Sequence, residues 1–260
     1  MQSAALDIAK VNAELRDKTP EEILRWAVGQ FGERLALQSS MQKTAGVLMH
    51  MISRIAPETE VVFVDTGVHF PETLETRDEF IRRYHVNIRT YYPQKSFQEQ
   101  FREYGRYLHE YDSETGAPGY QLCCELRKEI PYIAAVKGRF DAIVGGLMRA
   151  EGGARTATQV ISYDPRLEVY KIYPLAFATE EFVETYTREN DLPVHPLYAK
   201  GYASIGCAPC TTPLHPGEPK RAGRWRHIRE ATNMGANEHL YCGINFEDKK
   251  PKDSGNDPGI

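Results

Sequence analysis

Four cysteines in two pairs are the residues of this chain most suited to chemistry. Cys123 and Cys124 are adjacent, whereas Cys207 and Cys210 form a C-x-x-C pair much further along the chain. A fifth cysteine, Cys242, stands alone near the C-terminus. Thiolates both bind metals and attack electrophiles. Two pairs and one spare thiol therefore predict a metal site and a separate nucleophile.

Three interpretations of the paired cysteines are open on the residues alone. Disulfides are disfavoured because Asp7, Lys10 and Glu14 interrupt the opening segment, which therefore lacks the apolar run of a secretion signal. A structural zinc site normally has a residue or two of slack between its ligands, which an adjacent pair does not provide. An iron–sulfur cluster is larger and accepts neighbouring thiolates at two of its irons.

The bulk composition excludes several classes of protein. A chain of 260 residues can bury one substantial core. Its 32 lysines and arginines nearly balance its 36 acidic residues, which gives no case for binding nucleic acid or a membrane surface. No stretch approaches the roughly 18 apolar residues that a membrane span needs. We expect a soluble, cytoplasmic protein, and a homo-oligomer is compatible with the sequence.

Hydrophobic patterning predicts strands that alternate with helices. After an opening helix that begins near Thr19, the predicted strands are 35–38, 60–64, 87–92, 141–144 and 168–173, and the predicted helices are 45–55, 71–84, 124–136 and 179–190. This alternation is typical of an α/β fold with a doubly wound parallel sheet, which binds ligands beyond the carboxyl ends of its strands. The pattern stops after Cys210, and we expect the chain to end in a mobile tail.

Polar and glycine residues follow three of the predicted strands, as Ser39-Ser40, Asp65-Thr66-Gly67 and Gly145-Gly146. A loop that enters a helix offers backbone N–H groups to an anion, although an ordinary capped helix explains Ser39-Ser40 equally well. Guanidinium groups match phosphate and sulfate oxygens, and the later loops contain Arg149, Arg155, Arg221 and Arg224. Lys128 follows Cys124 by one predicted helical turn and shares its face.

These segments together resemble the assimilatory sulfonucleotide reductases, specifically the adenylyl-sulfate (APS) reductases with a [4Fe-4S] cluster. The likeness runs from about Leu35 to Gly243. It is strongest in Val62-Phe63-Val64-Asp65-Thr66-Gly67 with Phe70-Pro71-Glu72-Thr73-Leu74, in the Cys123-Cys124 block with Arg127-Lys128, and in Ser204-Ile205-Gly206-Cys207-Ala208-Pro209-Cys210-Thr211. Two further segments resemble the family's arginine-bearing loops, Gly146-Leu147-Met148-Arg149 with Arg155, and Arg221-Ala222-Gly223-Arg224-Trp225.

The resemblance implies a fold of the adenine nucleotide alpha-hydrolase-like type. Residues 1–211 would form the nucleotide- and cluster-binding α/β domain, with 1–18 as an N-terminal arm. Residues 212–260 would form the arginine loop and a mobile C-terminal tail that carries Cys242.

The resemblance also implies the reaction, which is thioredoxin-dependent reduction of adenosine 5′-phosphosulfate to sulfite and AMP in assimilatory sulfate reduction. Cys242 would attack the sulfur and release AMP, and thioredoxin would then release sulfite from the S-sulfocysteine. Cys123, Cys124, Cys207 and Cys210 would hold the [4Fe-4S] cluster, which organises charge rather than carrying electrons. The substrate-binding residues would be Ser39, Ser40, Lys43, Asp65, Thr66, Gly67, Gly145, Gly146, Arg149 and Arg155, with Lys128, Arg221 and Arg224 facing the phosphosulfate.

Two departures from the family pattern keep alternatives open. The family's tail motif is Glu-Cys-Gly-Leu/Ile-His, but Tyr241 and Asn245 replace its glutamate and histidine. In the first loop Lys43 adds a cation near the nucleotide phosphates, which favours the 3′-phosphorylated substrate PAPS. An ATP-dependent iron–sulfur sulfur transferase on the same fold is a further alternative, and a non-catalytic cluster protein is another.

Overall fold

The structure is a computed structural model, and it describes residues 6–112 and 119–234. Cys242 and its neighbours Tyr241 and Asn245 therefore lie outside the described residues. Within the described ranges no helix combines the length and apolar character needed to cross a membrane.

Helices and strands alternate along the chain as the sequence predicts. The helices are α1 (Ile8–Leu15), α2 (Pro20–Phe31), α3 (Lys43–Ile55), α4 (Pro71–Tyr84), α5 (Phe97–Tyr104), α6 (Tyr120–Cys124), α7 (Ile130–Val136), α8 (Glu180–Glu189) and α9 (Arg226–Thr232). The strands are β1 (Leu35–Ser39), β2 (Glu60–Val64), β3 (Ile88–Tyr91), β4 (Ala142–Val144), β5 (Ile161–Asp164) and β6 (Val169–Ile172).

The described strands form one six-stranded sheet in the order β3-β2-β1-β4-β6-β5. The α/β prediction is confirmed, but the sheet is mixed rather than wholly parallel because β5 pairs antiparallel with β6. Patterning missed β5, which is a short edge strand. The side chain of Asn12 hydrogen-bonds both the N–H and the C=O of Ile161 and so covers part of this edge.

Helices pack on both faces of the sheet. Helices α2, α3 and α8 cover one face, in a core that includes Leu37, Leu48 and Val183. Helix α7 covers the other face, where Tyr132 and Val136 pack on alternate residues of the central strands. The strand order reverses between β1 and β4, so a crevice opens beyond their carboxyl ends.

The predicted helix over 124–136 is one run of three segments. Between α6 and α7, residues Glu125–Glu129 form a π-helix in which the N–H of Ile130 donates to the carbonyl of Glu125. Pro131 follows immediately and has no N–H for an α-helical bond. Across this wider turn Lys128 and Cys124 still line the same small cavity. Such bulges occur frequently at functional sites.

Residues 212–234 pack closely against the preceding domain. Thr211 forms a β-bridge with Arg224, and the N–H of Trp225 donates to the carbonyl of Cys210 at 2.9 Å. Trp225 is fully buried together with Ile228 of α9. This segment therefore completes the wall around the cysteines.

Candidate active site

A cavity of about 550 Å³ lies beyond the carboxyl ends of β1, β2 and β4. This volume is in the usual range for a nucleotide-sized ligand. The lining includes nine of the residues that the sequence predicts to bind substrate, namely Ser39, Ser40, Lys43, Lys128, Gly145, Gly146, Arg155, Arg221 and Arg224. Residues far apart in the sequence thus meet around one space.

The first loop brings the start of α3 to this cavity. Met41 has a φ of 56°, and its N–H donates to Ser39 Oγ at 3.1 Å, which turns the chain sharply after β1. Gly146 fits against this turn closely, since a Cβ there would lie 2.7 Å from Thr44 Oγ1. Lys43, Thr44 and Ala45 at the start of α3 line the cavity, and the N-terminus of a helix favours an anion.

Other predicted binding residues do not line the large cavity. Arg149 donates to the carbonyl of Thr158 at 2.7 Å and stacks over the ring of Phe177. Asp65 accepts the N–H of Gly67 at 2.8 Å and so shapes its own turn. Thr66 instead faces the cysteines, with Oγ1 3.3 Å from Cys207 Sγ.

The four paired cysteines line a second, small cavity together with Arg127, Lys128, Arg224 and Trp225. None of the four forms a disulfide within the described residues, and Cys123, Cys124 and Cys210 are buried. The C-x-x-C segment is held against the turn after β2, because the N–H of Ala208 donates to the carbonyl of Val68 at 2.8 Å. The structure thus brings both cysteine pairs to one cavity.

The donor set of this cavity fits an iron–sulfur cluster. Four cysteine sulfurs line it, and a cluster spreads such ligands over several irons. Two buried N–H donors without a partner, Arg224 Nε and Trp225 Nε1, belong to residues that line the cavity. Cluster sulfurs can accept such bonds.

Burial controls the protonation of the cysteines. It raises the pKa of the Cys210 thiol to about 12, and the neighbouring Cys207 adds to the shift. Burial also raises the pKa of Cys123, again with a contribution from Cys207. A cationic group bound in the cavity would therefore favour the thiolate form of these cysteines.

A buried arginine that the site prediction omitted organises the cysteine side of the site. Arg127 is 2% exposed. It donates to the carbonyl of Thr66 at 2.6 Å and to Gln100 Oε1 at 3.0 Å. Gln100 in turn points its Nε2 at Cys123 Sγ, 3.9 Å away. The Arg127-Lys128 motif was a signal in the sequence, but Gln100 carried none.

Carboxylates on the cavity wall neutralise part of its positive charge, and sequence reasoning missed them. Arg155 pairs with Glu151 at 2.8 Å, and Lys43 pairs with Glu184 at 2.5 Å. Lys220 pairs with Glu180. Six lysines and arginines and three glutamates line the cavity in the described part of the chain, so its wall is net cationic and suits an anionic ligand.

Residues 34–213 match the model of the phosphoadenosine phosphosulfate reductase domain family. The chain belongs to this family of sulfonucleotide reductases. It is 43% identical over 216 residues to an adenosine 5′-phosphosulfate reductase from Streptomyces coelicolor, covering 83% of this chain and 87% of that one. A relative of the same name from Mycolicibacterium smegmatis is 40% identical, with 82% of this chain and 86% of the relative covered.

Solved structures agree with the family assignment. The phosphoadenylyl-sulfate reductase of Candida auris, in a phosphate complex, superposes with a TM-score of 0.69 and 28% identity, covering 81% of this chain and 100% of that one. The FMN adenylyltransferase of Candida glabrata superposes with a TM-score of 0.52 at 16% identity, covering 82% of this chain and 67% of that one, a likeness of fold alone.

Proposed function

We propose that this sulfonucleotide reductase converts adenosine 5′-phosphosulfate into sulfite and AMP. The main observation behind the proposal is that the two cavities share a wall. Lys128, Arg224 and Trp225 line both the nucleotide-sized cavity and the cysteine cavity. A phosphosulfate placed against this wall would meet two cations next to the cysteines. Relatives named adenosine 5′-phosphosulfate reductase at 36–43% identity support this choice of substrate.

The described residues would bind and orient the substrate. The N-terminus of α3 and the cationic wall hold the anionic groups, and Lys128 and Arg224 stabilise charge that develops as the S–O bond breaks. Arg224 is held in place by stacking over the Trp225 ring at 4.5 Å. These residues supply positioning and electrostatics rather than the nucleophile.

Cys242, which lies outside the described residues, would supply the nucleophile. Its thiolate would attack the sulfur, the bond from sulfur to the bridging oxygen would break, and AMP would leave with that oxygen. One thiol of thioredoxin would then attack the sulfur of Cys242, which displaces sulfite and forms a mixed disulfide. The second thiol of thioredoxin would resolve this bond, which regenerates Cys242 and leaves thioredoxin as a disulfide. A cytoplasmic location, where thiols stay reduced, is part of this proposal.

A [4Fe-4S] cluster on Cys123, Cys124, Cys207 and Cys210 would supply a fixed local charge that orients Lys128 beside the substrate. The four cysteines around one cavity and the two N–H donors that have no partner among the described residues support this cofactor. We expect brown protein with about four irons per chain, and Cys124→Ser should lose iron and activity together. Stoichiometric zinc without iron after anaerobic purification would contradict the cofactor.

One experiment tests the reaction itself. Anaerobic protein is incubated with adenosine 5′-phosphosulfate without a thiol donor, and the peptide that contains Cys242 is examined by mass spectrometry. We expect a sulfonate adduct on this peptide, which thioredoxin removes with release of sulfite. Cys242→Ser is the control and should bind the nucleotide but form no adduct. AMP formation from ATP and an acceptor, with no adduct, would instead support a sulfur transferase.

PAPS is the second candidate substrate, because the similar structure from Candida auris is a phosphoadenylyl-sulfate reductase and Lys43 adds a cation. Against PAPS, the Lys43 ammonium is already paired with Glu184 at 2.5 Å. Parallel assays with both nucleotides at equal concentration decide between them.

A further inference from the structure

Lys171 on β6, the strand between β4 and edge strand β5, is a lysine that is 0% exposed. It lies on the same face of β6 as Val169, which packs in the apolar core under α7. Burying an ammonium group in such surroundings is costly unless the charge is compensated or used. Neither sequence patterning nor the reaction described above accounts for it.

The hydrogen-bond partners recorded for Lys171 in the described residues are both uncharged. Its Nζ donates to Gln38 Oε1 and to the hydroxyl oxygen of Tyr132, each at 3.1 Å. The ammonium also lies 5.4 Å from the centre of the Tyr132 ring. Gln38 and Tyr132 both line the large cavity, so Lys171 lies directly behind its wall.

An ammonium group only donates hydrogen bonds, and this fixes the polarity of its partners. Because Gln38 Oε1 accepts from Lys171, the amide of Gln38 is oriented with Nε2 as the group left to donate elsewhere. Because the Tyr132 oxygen also accepts from Lys171, its hydroxyl hydrogen cannot be used on the lysine. The amide of Gln38 is thus oriented as a donor, and Tyr132 holds the ammonium group behind the cavity wall.

We propose that Lys171 is a positioning residue that makes this part of the cavity selective for anions, by orienting Gln38 as a donor and adding a buried positive charge behind Gln38 and Tyr132. The ligand class is the phosphate or sulfate end of a nucleotide. The inference rests on the proposed function to the extent that such a ligand binds in this cavity. A purely structural lysine would support the sheet without regard to the charge of the ligand.

Ligand charge separates these two roles. Binding of adenosine and of AMP to the intact protein is measured by calorimetry for the wild type and for Lys171→Met, which keeps the length of the side chain and removes its charge. We expect AMP affinity to fall about tenfold or more, the scale of a lost charge-assisted interaction. Affinity for uncharged adenosine should change less than about twofold.

Two further variants make the test decisive. Lys137→Met removes a lysine that pairs with Glu168 on the surface and should leave both affinities unchanged. Tyr132→Phe keeps the fold element but deletes the hydroxyl that accepts from Lys171 and holds its charge in place, so it tests the same idea if Lys171→Met does not fold. It should weaken AMP binding more than adenosine binding.

Different results would overturn the proposed function and the role of Lys171. Wild-type protein that binds neither AMP nor adenosine 5′-phosphosulfate would overturn the proposed function and this inference with it. Wild-type binding of AMP, with equal weakening of AMP and adenosine in Lys171→Met and Tyr132→Phe, would overturn the inference alone. Unchanged AMP binding in both variants would do the same.

Discussion

At the scale of single residues, the tightest packing in the site is at Gly206, directly before Cys207. A Cβ at this position would lie 2.1 Å from Arg224 Nη1, well inside contact distance. Arg224 cannot simply swing away, since it is 6% exposed and stacked over Trp225. Glycine here is therefore what allows the guanidinium to reach the wall shared by the two cavities.

We predict that Gly206→Ala displaces Arg224 and impairs use of adenosine 5′-phosphosulfate. The loss of one charge-assisted contact should lower kcat/KM about tenfold or more. Steady-state kinetics measures the effect, and iron content should stay at the wild-type value. Gly29→Ala is the matched control, because a Cβ there meets no atom within 4 Å. Its helical position should make it slightly stabilising, and an equal loss of activity in both variants would contradict the argument.

Residue types and spacing predicted the cysteine set and most of the cationic wall, because these residues carry recognisable chemistry. They could not predict Glu184, Gln100 or Lys171 as site residues. Each acts through a partner more than 20 positions away, such as Gln38 for Lys171 or Lys43 for Glu184. Only the folded sheet brings these partners together.

At the scale of elements, helix α8 places two glutamates on the wall of the large cavity, opposite the start of α3. Glu180 and Glu184 are one turn apart on this helix, and they pair with Lys220 and Lys43 respectively. The helix thus neutralises one cation from each side of the cavity. This arrangement limits how much additional negative charge a nucleotide can bring.

We predict that Glu184→Gln raises the preference for PAPS. Releasing Lys43 from its carboxylate leaves a cation available for the extra phosphate, so kcat/KM for PAPS relative to adenosine 5′-phosphosulfate should rise about threefold to tenfold. Glu189→Gln, on an exposed part of the same helix, is the control. The double variant Lys43→Gln/Glu184→Gln should return the ratio toward the wild-type value. A ratio unaffected by any of these changes would refute the role of the pair.

Hydrophobic patterning predicted the helices and strands well where the pattern extends over many residues. It failed where a bulge or contacts with distant segments determine the local backbone. Strand β2 and helix α4 have the predicted bounds. The π-helix over Glu125–Glu129 could not be predicted, since Pro131 suggests only a kink. Edge strand β5 and helix α9 were missed because both are short and their burial depends on contacts with distant segments.

At the scale of the whole molecule, buried histidines join the elements around the site. His195 is 1% exposed, and its Nδ1 accepts the N–H of Leu197 at 3.3 Å. That bond leaves the proton on Nε2, which donates to Thr73 Oγ1 at 2.9 Å. His195 therefore links α4 through hydrogen bonds to the segment Pro196–Lys200. This segment includes Tyr198, which lines the large cavity.

This network predicts how stability depends on pH. Burial lowers the pKa of His195 below its usual value of 6.5, and burial also lowers the pKa of His50, His69 and His109. Below about pH 6.5 the unfolded chain therefore binds more protons than the folded protein, so the free energy of unfolding should fall as the pH is lowered. Urea unfolding between pH 7.5 and about 5.5 measures this slope.

The variant His195→Asn isolates the contribution of this one ring. Asparagine can still accept the N–H of Leu197 at the start of the short helix, but it does not titrate. We expect the variant to be less stable than the wild type at pH 7.5, by about 1–2 kcal/mol for the lost bond to Thr73 and the lost packing. Its loss of stability toward pH 5.5 should be shallower, because one proton-linked group has been removed while the other buried histidines remain.

The control is His85→Asn, which makes the same substitution at an exposed position with a φ of 51°. Asparagine tolerates this φ, so the control should leave the slope of stability against pH unchanged. Parallel pH profiles for the wild type and His195→Asn would show that His195 is not coupled to folding in this way.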